Sequence, residues 1–269
     1  MISVGIDIGS ITAKAAILDE GQLKGTFFQG TGYDARKAAE AVMQKVLAIS
    51  GYDKSNVDIV VATGYGRKSV SFADKTITEI SCHAKGANWI FPTVHTVLDM
   101  GGQDCKVITC DDAGKVTSFV MNDKCAAGAG RSMEIVAKLI GIPLESIGDI
   151  SLQSIDEPAE ITSTCVLFAR SEIMELMRDG VPKSNILAGT CDALTSRVLT
   201  LLSRAQVQKD LAITGGIAKN IGVTKRVEDR LGLKAKIYEE PQIIGALGAA
   251  IFAKETLMKT GKKREAVNV

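Results

Sequence analysis

Apolar residues in the first third of the chain alternate with a period of two and then change to the period of a helix. Three short alternating runs, separated by polar turn residues, predict a meander of β-strands at the N-terminus. A stretch with Ala and Val at helical spacing comes next, and a continuous β-branched run then predicts a strand buried on both faces. The predicted elements are strands 2–8, 13–18, 23–28 and 57–62 and helices 35–49 and 77–89.

The same order of patterns begins again near residue 94. Three more alternating runs are followed by helical periodicity, a short apolar run that ends in Gly-Gly, and a final apolar helix. Strands that alternate with helices predict an α/β fold. The predicted elements are strands 94–99, 105–109, 116–121, 211–214 and 234–238 and helices 133–140, 166–178, 184–205, 217–230 and 242–258, with 148–160 as the least structured part.

This repetition predicts two similar lobes with a boundary near residues 92–96. We expect an N-terminal lobe of residues 1–94 and a C-terminal lobe of residues 95–241. The last helix, 242–258, is expected to pack back on the N-terminal lobe and to be followed by a tail of residues 259–269.

One motif occurs twice, 92 residues apart. The first copy reads Val4-Gly-Ile-Asp-Ile-Gly-Ser-Ile-Thr-Ala-Lys14, and the second reads Val97-Leu-Asp-Met-Gly-Gly-Gln-Asp-Cys-Lys106. In both, an Asp that ends an apolar run is followed by a Gly two residues later and a Lys seven residues later. Glycine lets backbone N–H groups approach phosphate oxygens, and carboxylates suit Mg²⁺. Two half-sites that face one phosphate chain with Mg²⁺ are therefore predicted.

A third glycine-rich turn, Thr214-Gly-Gly-Ile-Ala-Lys-Asn220, joins a strand to a helix and would let bare backbone approach a nucleotide. The sequence contains neither a Walker A motif nor a Gly-x-Gly-x-x-Gly motif, which disfavours P-loop and Rossmann folds. The predicted nucleotide-binding residues are Gly9, Ser10, Ile11, Thr12, Ala13, Lys14, Gly101, Gly102, Gln103, Gly215, Gly216, Lys219 and Gln242.

Charge and hydropathy exclude several classes of function. The net charge of +1 gives no electrostatic reason to bind nucleic acid or a membrane surface. The longest uncharged apolar stretch, 243–253, is 11 residues, well short of the roughly 20 needed to cross a bilayer. The N-terminus enters a strand directly, without a visible signal peptide, so we expect a cytoplasmic protein. Six cysteines in that compartment point to thiols, metal ligands or redox chemistry rather than disulfides.

Two of the cysteines precede predicted helices. Cys125 lies in a Gly/Ala-rich loop, and Cys165 follows Ser and Thr residues that favour a helix N-terminus. The partial positive charge at such a terminus lowers the pKa of a thiol and favours an anionic ligand set, such as thiolates around an iron–sulfur cluster. Spacing alone leaves open that both are ordinary core thiols. The remaining cysteines are interpreted as packing residues: Cys82, Cys105, Cys110 and Cys191.

The three glycine-rich turns, together with Gly245-Ala-Leu-Gly248, resemble the nucleotide-binding motifs of the superfamily of acetate and sugar kinases, heat-shock chaperone ATPases and actin. This resemblance implies two duplicated ribonuclease-H-like lobes with ATP and Mg²⁺ in the cleft between them. It also implies roles for residues of all three turns. Asp7 and Asp99 would face Mg²⁺ through water, Ser10, Thr12 and Lys14 would hold phosphates, Gly215 and Gly216 would lie against the adenosine, and Gln103 and Asp104 would lie near the γ-phosphate as candidate catalytic residues.

Four segments resemble a narrower family, the activators of 2-hydroxyacyl-CoA dehydratases and the related ATPase subunits of benzoyl-CoA reductase and double-cubane reductases. They are Ala62-Thr-Gly-Tyr-Gly-Arg67, Asp99-Met-Gly-Gly-Gln-Asp104, Asn122-Asp-Lys-Cys-Ala-Ala-Gly128 and Ser163-Thr-Cys165. The chain departs modestly from the family, with Gly128-Ala-Gly130 where Gly-Thr-Gly is common.

The resemblance to these activators implies an oxygen-sensitive homodimer with one [4Fe–4S] cluster held by Cys125 and Cys165 of each subunit. The cluster would receive an electron from a ferredoxin or flavodoxin and pass it, with ATP hydrolysis, to an iron–sulfur dehydratase or reductase component.

Two other functions fit the same nucleotide motifs. A small-molecule kinase for a sugar or carboxylate would contain no iron and would transfer phosphate to a soluble acceptor. A non-catalytic nucleotide-binding regulator would contain no cluster and turn over little ATP. The chain is short for a sugar kinase of this superfamily, because it has no insertion long enough for a substrate-binding segment. Neither alternative needs the two cysteines at helix starts.

Overall fold

The computed structural model describes residues 1–122, 129–161 and 166–261. These residues form an α/β fold in which strands and helices follow one another much as the hydrophobic pattern predicts. The strands are β1 (Ile2–Ile8), β2 (Thr12–Asp19), β3 (Gln22–Gly30), β4 (Ile59–Thr63), β5 (Lys75–Thr76), β6 (Thr96–Met100), β7 (Cys105–Cys110), β8 (Val116–Met121) and β9 (Leu211–Thr214). The helices are α1 (Ala35–Ser50), α2 (Glu79–Ile90), α3 (Gly130–Ile140), α4 (Ile147–Ser151), α5 (Val166–Arg178), α6 (Lys183–Ser203), α7 (Ile221–Leu231) and α8 (Ile244–Thr260).

The described residues divide into two compact units. The first contains residues 1–94 and 110–116 and the chain from Gln242 onward, and the second contains residues 95–109 and 117–241. Each unit has its own apolar core, one built on β1, β2, β4 and α1, and the other on β6, β7, β9, α3 and α6.

The two sheets share the order of four strands, and the first has β5 as an additional edge strand. The first runs β3-β2-β1-β4-β5 and the second runs β8-β7-β6-β9. In both, the central strand that carries the repeated Asp pairs antiparallel with the next strand and parallel with a later one, β4 in the first sheet and β9 in the second. The sequence repeat therefore corresponds to a repeat of sheet topology.

Helix α8 lies against β1, β4 and α2 in the first unit. The contact is close because small residues meet there: an ideal Cβ on Gly5 would lie only 1.9 Å from the carbonyl oxygen of Ala246. The same holds at Gly248, where a Cβ would lie 1.8 Å from the carbonyl oxygen of Cys82. Any side chain at Gly5 or Gly248 would push α8 away from its neighbours.

Helix α6 is long and apolar enough to cross a membrane by length and composition alone. However, 61% of its most apolar window is buried inside the protein. Ile186, Leu187 and Cys191 are all fully buried in the core of the second unit. We therefore interpret α6 as a core helix.

Three predicted elements differ from the structure. The strand predicted at 234–238 is reduced to a single parallel bridge between Lys236 and Ala212. The polar stretch 148–160, predicted as irregular, includes most of α4. At the start of the helix predicted over 217–230, Gly216–Lys219 form a 3₁₀ turn, and α7 begins only at Ile221 because Asn220 caps it by accepting from the backbone N–H of Val223.

Candidate phosphate site and its repeat

The first copy of the motif brings a carboxylate and an ammonium group together at the end of β1. Asp7 and Lys14 are direct partners in the antiparallel β1–β2 register. Lys14 Nζ donates to Asp7 Oδ2 at 3.1 Å. Asp7 is buried, whereas the Lys14 side chain keeps 13% of its surface exposed. This cation is therefore partly neutralised and still reachable by a ligand.

The turn between β1 and β2 is fixed by backbone hydrogen bonds. The Gly9 N–H donates to the Thr12 carbonyl at 3.0 Å, and the Thr31 N–H donates to the Ile11 carbonyl at 2.8 Å. The Thr31 hydroxyl also donates to the Gly9 carbonyl. Ser10 at the tip is exposed, while Gly9, Ile11, Thr12 and Lys14 are half-buried and Ala13 is buried. The predicted phosphate-binding residues of the first copy thus lie on one hydrogen-bonded turn and the first residues of β2, and all except Ala13 are at least partly accessible.

The second copy has the same register but a more complete set of partners. Asp99 faces Lys106 across β6 and β7, with 3.6 Å between Lys106 Nζ and Asp99 Oδ2. Lys106 Nζ also lies 2.7 Å from Asp104 Oδ1. The Lys106 side chain is only 4% exposed. Because two carboxylates surround this ammonium group, it is held more firmly than Lys14.

Each motif also has a threonine on the parallel neighbouring strand. Thr63 of β4 is the register partner of Asp7, and Thr214 of β9 is the register partner of Asp99. The Thr214 hydroxyl donates to Asp99 Oδ1 at 3.0 Å. The buried Thr63 hydroxyl has no oxygen or nitrogen partner among the described residues, and it interacts with the thiol of Cys82.

Sequence reasoning did not assign a role to Thr63 or Thr214. The signal that finds them is the pair Thr-Gly at the end of each parallel strand, Thr63-Gly64 and Thr214-Gly215. Both glycines have positive φ, 87° and 86°, which only glycine adopts readily. A Cβ on Gly64 would lie 2.3 Å from Asp7 Oδ1, and one on Gly215 would lie 2.9 Å from Asp99 Oδ1. These turns therefore bring bare backbone against the repeated carboxylates.

The third glycine-rich turn continues from β9. The Gly215 N–H donates to the Pro241 carbonyl at 3.0 Å, which fixes the turn against the segment that follows α7. Lys219 Nζ lies 2.7 Å from Glu240 Oε2, and Gly216 and Gln242 are partly accessible.

The predicted catalytic pair lies in the turn between β6 and β7. Gln103 is exposed at its tip, and Asp104 is half-buried and paired with Lys106. Gly101 and Gly102 precede them, and the Gly101 N–H donates to the Asp104 carbonyl at 2.9 Å. Asp104 therefore anchors the turn through its ion pair, and Gln103 is the more accessible of the two side chains.

The four described cysteines are all buried. Burial raises the pKa of the Cys82 thiol and of the Cys105 thiol to about 12, and that of the Cys110 thiol to about 11. Burial also raises the pKa of the Cys191 thiol. At neutral pH these four side chains are therefore neutral thiols. Cys125 and Cys165 lie outside the described residues, and within the described ranges no three His, Cys, Asp or Glu side chains form a group suited to a metal.

Comparison with known proteins identifies a family model and close relatives that match almost the whole chain. The model of the BadF/BadG/BcrA/BcrD ATPase family matches residues 4–253. The activator of lactoyl-CoA dehydratase from Anaerotignum propionicum is 42% identical over 262 residues, which cover 96% of this chain and 100% of that protein. The (R)-2-hydroxyglutaryl-CoA dehydratase activating ATPase from Acidaminococcus fermentans is 41% identical over 257 residues, which cover 93% of this chain and 96% of that protein.

A solved structure of a related activator has the same fold as this chain. The activator of the 2-hydroxyisocaproyl-CoA dehydratase from Clostridium difficile, with bound ADPNP, superposes with a TM-score of 0.91 at 36% identity and 100% coverage of both chains. The predicted resemblance, the duplicated α/β fold and the ATPase activity are confirmed. This chain is an ATPase with the actin-like fold and belongs to the BadF/BadG/BcrA/BcrD ATPase family.

Proposed function

We propose that this protein is an ATP-dependent one-electron donor that activates a 2-hydroxyacyl-CoA dehydratase or a related acyl-CoA or double-cubane reductase. Its homodimer would share one [4Fe–4S] cluster, held by Cys125 and Cys165 of each subunit. The observation that carries the proposal is a direct connection between the second phosphate turn and helix α3, which begins next to the segment that contains Cys125.

The connection consists of two backbone hydrogen bonds. The N–H of Gly130 donates to the carbonyl of Gly101 at 3.0 Å, and the N–H of Arg131 donates to the carbonyl of Gly102 at 2.8 Å. These donors are the first residues of α3, whose N–H groups have no partner within the helix. A change in the turn on ATP binding or hydrolysis would therefore move the start of α3. In the sequence, Cys125 lies five residues before Gly130, so the proposal couples the nucleotide to the segment that contains this cysteine.

The cysteines of the chain suit a [4Fe–4S] cluster shared between two subunits. The four described thiols are buried, and the family resemblance implies Cys125 and Cys165 as the pair of ligands in each subunit. Cys165 immediately precedes α5, and α3 packs against α5 in the second unit. Both cysteines are therefore next to helices that contact each other. A [4Fe–4S] cluster supplies reversible one-electron chemistry when four thiolates hold it, so two subunits are needed.

The surface of α5 supports a dimer at this end of the unit. Ile173 is the one fully buried residue among the described side chains of α5, and Leu176 packs partly against the core. Phe168, Met174 and Met177 are exposed by 67%, 45% and 37%. Exposed apolar side chains on a helix that starts directly after Cys165 are well suited to bury against a second copy.

The nucleotide would bind at the two repeated turns. We propose that Gly9–Lys14 and Gly101–Gln103 hold the phosphates, that Gly215, Gly216, Lys219 and Gln242 serve the rest of the nucleotide, and that Asp7 and Asp99 hold Mg²⁺ through water. Asp7 and Asp99 suit that ion because carboxylates are hard ligands that also bind its water shell. Gln103, which is exposed at its turn, would orient the attacking water, and Asp104 would hold the turn through Lys106.

The electron source and the partner complete the proposal. A cytoplasmic ferredoxin or flavodoxin would supply the electron, and the partner would be the dehydratase or reductase component that contains its own iron–sulfur clusters. The proposal includes no nucleic acid and no membrane, in keeping with the net charge of +1.

The experiment is to measure iron, acid-labile sulfide and oligomeric state on anaerobically purified protein. We expect about four irons and four sulfides per dimer, with broad absorption that bleaches in air. Cys125→Ser and Cys165→Ser should each lose iron and electron transfer while still hydrolysing ATP. Cys191→Ala, which removes a buried thiol, is the matched control and should keep both. Protein without iron after anaerobic reconstitution would contradict the proposal, and phosphate transfer to a sugar or carboxylate would then favour the kinase alternative.

A further inference from the structure

The loop after β4 presents an arginine beside the first phosphate turn. The Gly66 N–H donates to the Ile8 carbonyl at 2.8 Å, which ties the loop to the end of β1. Arg67 follows, and its Nη1 donates to the Gly64 carbonyl at 2.9 Å. Gly64 itself touches Asp7, since a Cβ there would lie 2.3 Å from Asp7 Oδ1. The guanidinium is thus held at the carboxyl end of β4, on the opposite side of β1 from Lys14.

The described carboxylates leave Arg67 without an ion-pair partner. Asp7 is paired with Lys14, and Arg67 forms no ion pair with a carboxylate among the described residues. Arg67 is half-buried, and its hydrogen bond to Gly64 uses only one of the five N–H donors of a guanidinium. A fixed, partly buried cation with donors to spare is a site for an anion. Arginine recognises phosphate particularly well because its planar fork makes two parallel hydrogen bonds.

We infer that Arg67 binds the terminal phosphate of ATP and stabilises the charge that develops there during hydrolysis. This inference rests on the proposed phosphate site at Gly9–Lys14 and adds a residue to it. A phosphate chain on the β1–β2 turn meets Lys14 on the β2 side, and its end would reach past β1 to the β4 side. ATP has one phosphate more than ADP, so a cation on the β4 side would distinguish the two nucleotides. Arginines that meet a transferring phosphoryl group accelerate hydrolysis in other ATPases and GTPases.

The test compares Arg67→Ala and Arg67→Lys with Lys68→Ala, which removes an exposed charge from the next position. Affinities for ADP and ADPNP are measured by calorimetry in the presence of Mg²⁺, and ATP hydrolysis is measured on the same samples. For Arg67→Ala we expect ADPNP affinity to fall about tenfold, ADP affinity to change less than about twofold, and kcat to fall about 1,000-fold. Arg67→Lys should recover part of the ADPNP affinity and little of kcat, and Lys68→Ala should match the wild type.

Equal losses for ADP and ADPNP, or no loss for either, would overturn the inference. If Arg67→Ala fails to fold, the same affinities and kcat are compared for Arg67→Lys, which retains the cation. Thr12→Ala separates this inference from the proposed site. If Thr12→Ala weakens both nucleotides and Arg67→Ala weakens neither, only the role of Arg67 is wrong. If Thr12→Ala has no effect on either nucleotide, the proposed phosphate turn itself fails.

Discussion

The two copies of the Asp–Lys–Thr arrangement have the same backbone frame and different degrees of charge compensation. In the first, Lys14 meets one carboxylate and Thr63 has no oxygen or nitrogen partner among the described residues. In the second, Lys106 lies between two carboxylates, and Thr214 donates to Asp99. The lysine of the first copy, the accessible copy, thus stays partly exposed, whereas the lysine of the second, the supporting copy, is buried between two carboxylates. The supporting copy is the one that is hydrogen-bonded to α3.

The largest effect should come from removing the buried cation. Lys106→Met leaves Asp99 and Asp104 without their ammonium partner, and breaking a buried pair costs about 3–5 kcal/mol of the free energy of unfolding. We expect the melting temperature to fall by about 10 °C. Lys14→Met should cost less stability, about 1–2 kcal/mol, because its cation is more exposed and meets a single carboxylate. Its main effect should be on nucleotide affinity.

Thermal unfolding and nucleotide titration of the two lysine variants test this difference. The difference between the two copies would be contradicted if Lys14→Met and Lys106→Met lowered the free energy of unfolding equally. It would also be contradicted if Lys106→Met weakened nucleotide binding and Lys14→Met did not.

An intermediate effect should separate the two threonines. Thr214→Val removes a buried hydrogen bond to a charged acceptor and should lower the free energy of unfolding by about 2 kcal/mol. Thr63→Val removes a hydroxyl whose described partner is only a thiol, so we expect a change within about 0.5 kcal/mol. Urea unfolding measures both. A large loss at Thr63 would show that its hydroxyl has a partner in solution.

The smallest effect should come from making the second copy more like the first. Cys105 occupies the position six residues after Asp99, where the first copy has Ala13 six residues after Asp7. Cys105→Ala should cost about 1 kcal/mol, because it removes one buried sulfur from a packed core. Iron content and ATP hydrolysis should be unchanged, since burial raises the pKa of this thiol to about 12. Loss of iron in this variant would make Cys105 a ligand and contradict the assignment of Cys125 and Cys165.

Local patterns predicted the central strands of both sheets well because those strands are continuous apolar runs buried in the cores. The same patterns failed where contacts with distant segments determine whether a strand pairs or where a helix begins. The segment 234–238 alternates like a strand, yet Leu233 and Ala235 pack on the core and only Lys236 pairs with Ala212. Helix α3 begins at Gly130, three residues before the predicted start, because the N–H groups of Gly130 and Arg131 find acceptors in a distant turn.

In the candidate site, too, local spacing identified some residues, and others became apparent only from the pairing of distant strands. The repeated Asp, Gly and Lys could be found from spacing alone, and the register places Asp opposite Lys in both copies. The threonines of β4 and β9 were missed because each is contributed by a parallel strand far along the chain, Thr63 beside Asp7 and Thr214 beside Asp99. The roles of Cys125 and Cys165 stay predictions, since they depend on a second subunit that one sequence does not describe.

The close packing of α8 on β1 has a consequence for synthesis of the chain. Strand β1 is synthesised before the second unit and helix α8 after it, yet the two pack together, and the contact at Gly5 tolerates no substitute side chain. The first unit therefore cannot complete its packing while the second is being made. A nascent chain that ends before Ile244 exposes the apolar surface that α8 covers, so we expect truncated products to be held by chaperones or degraded rather than released as a folded N-terminal unit.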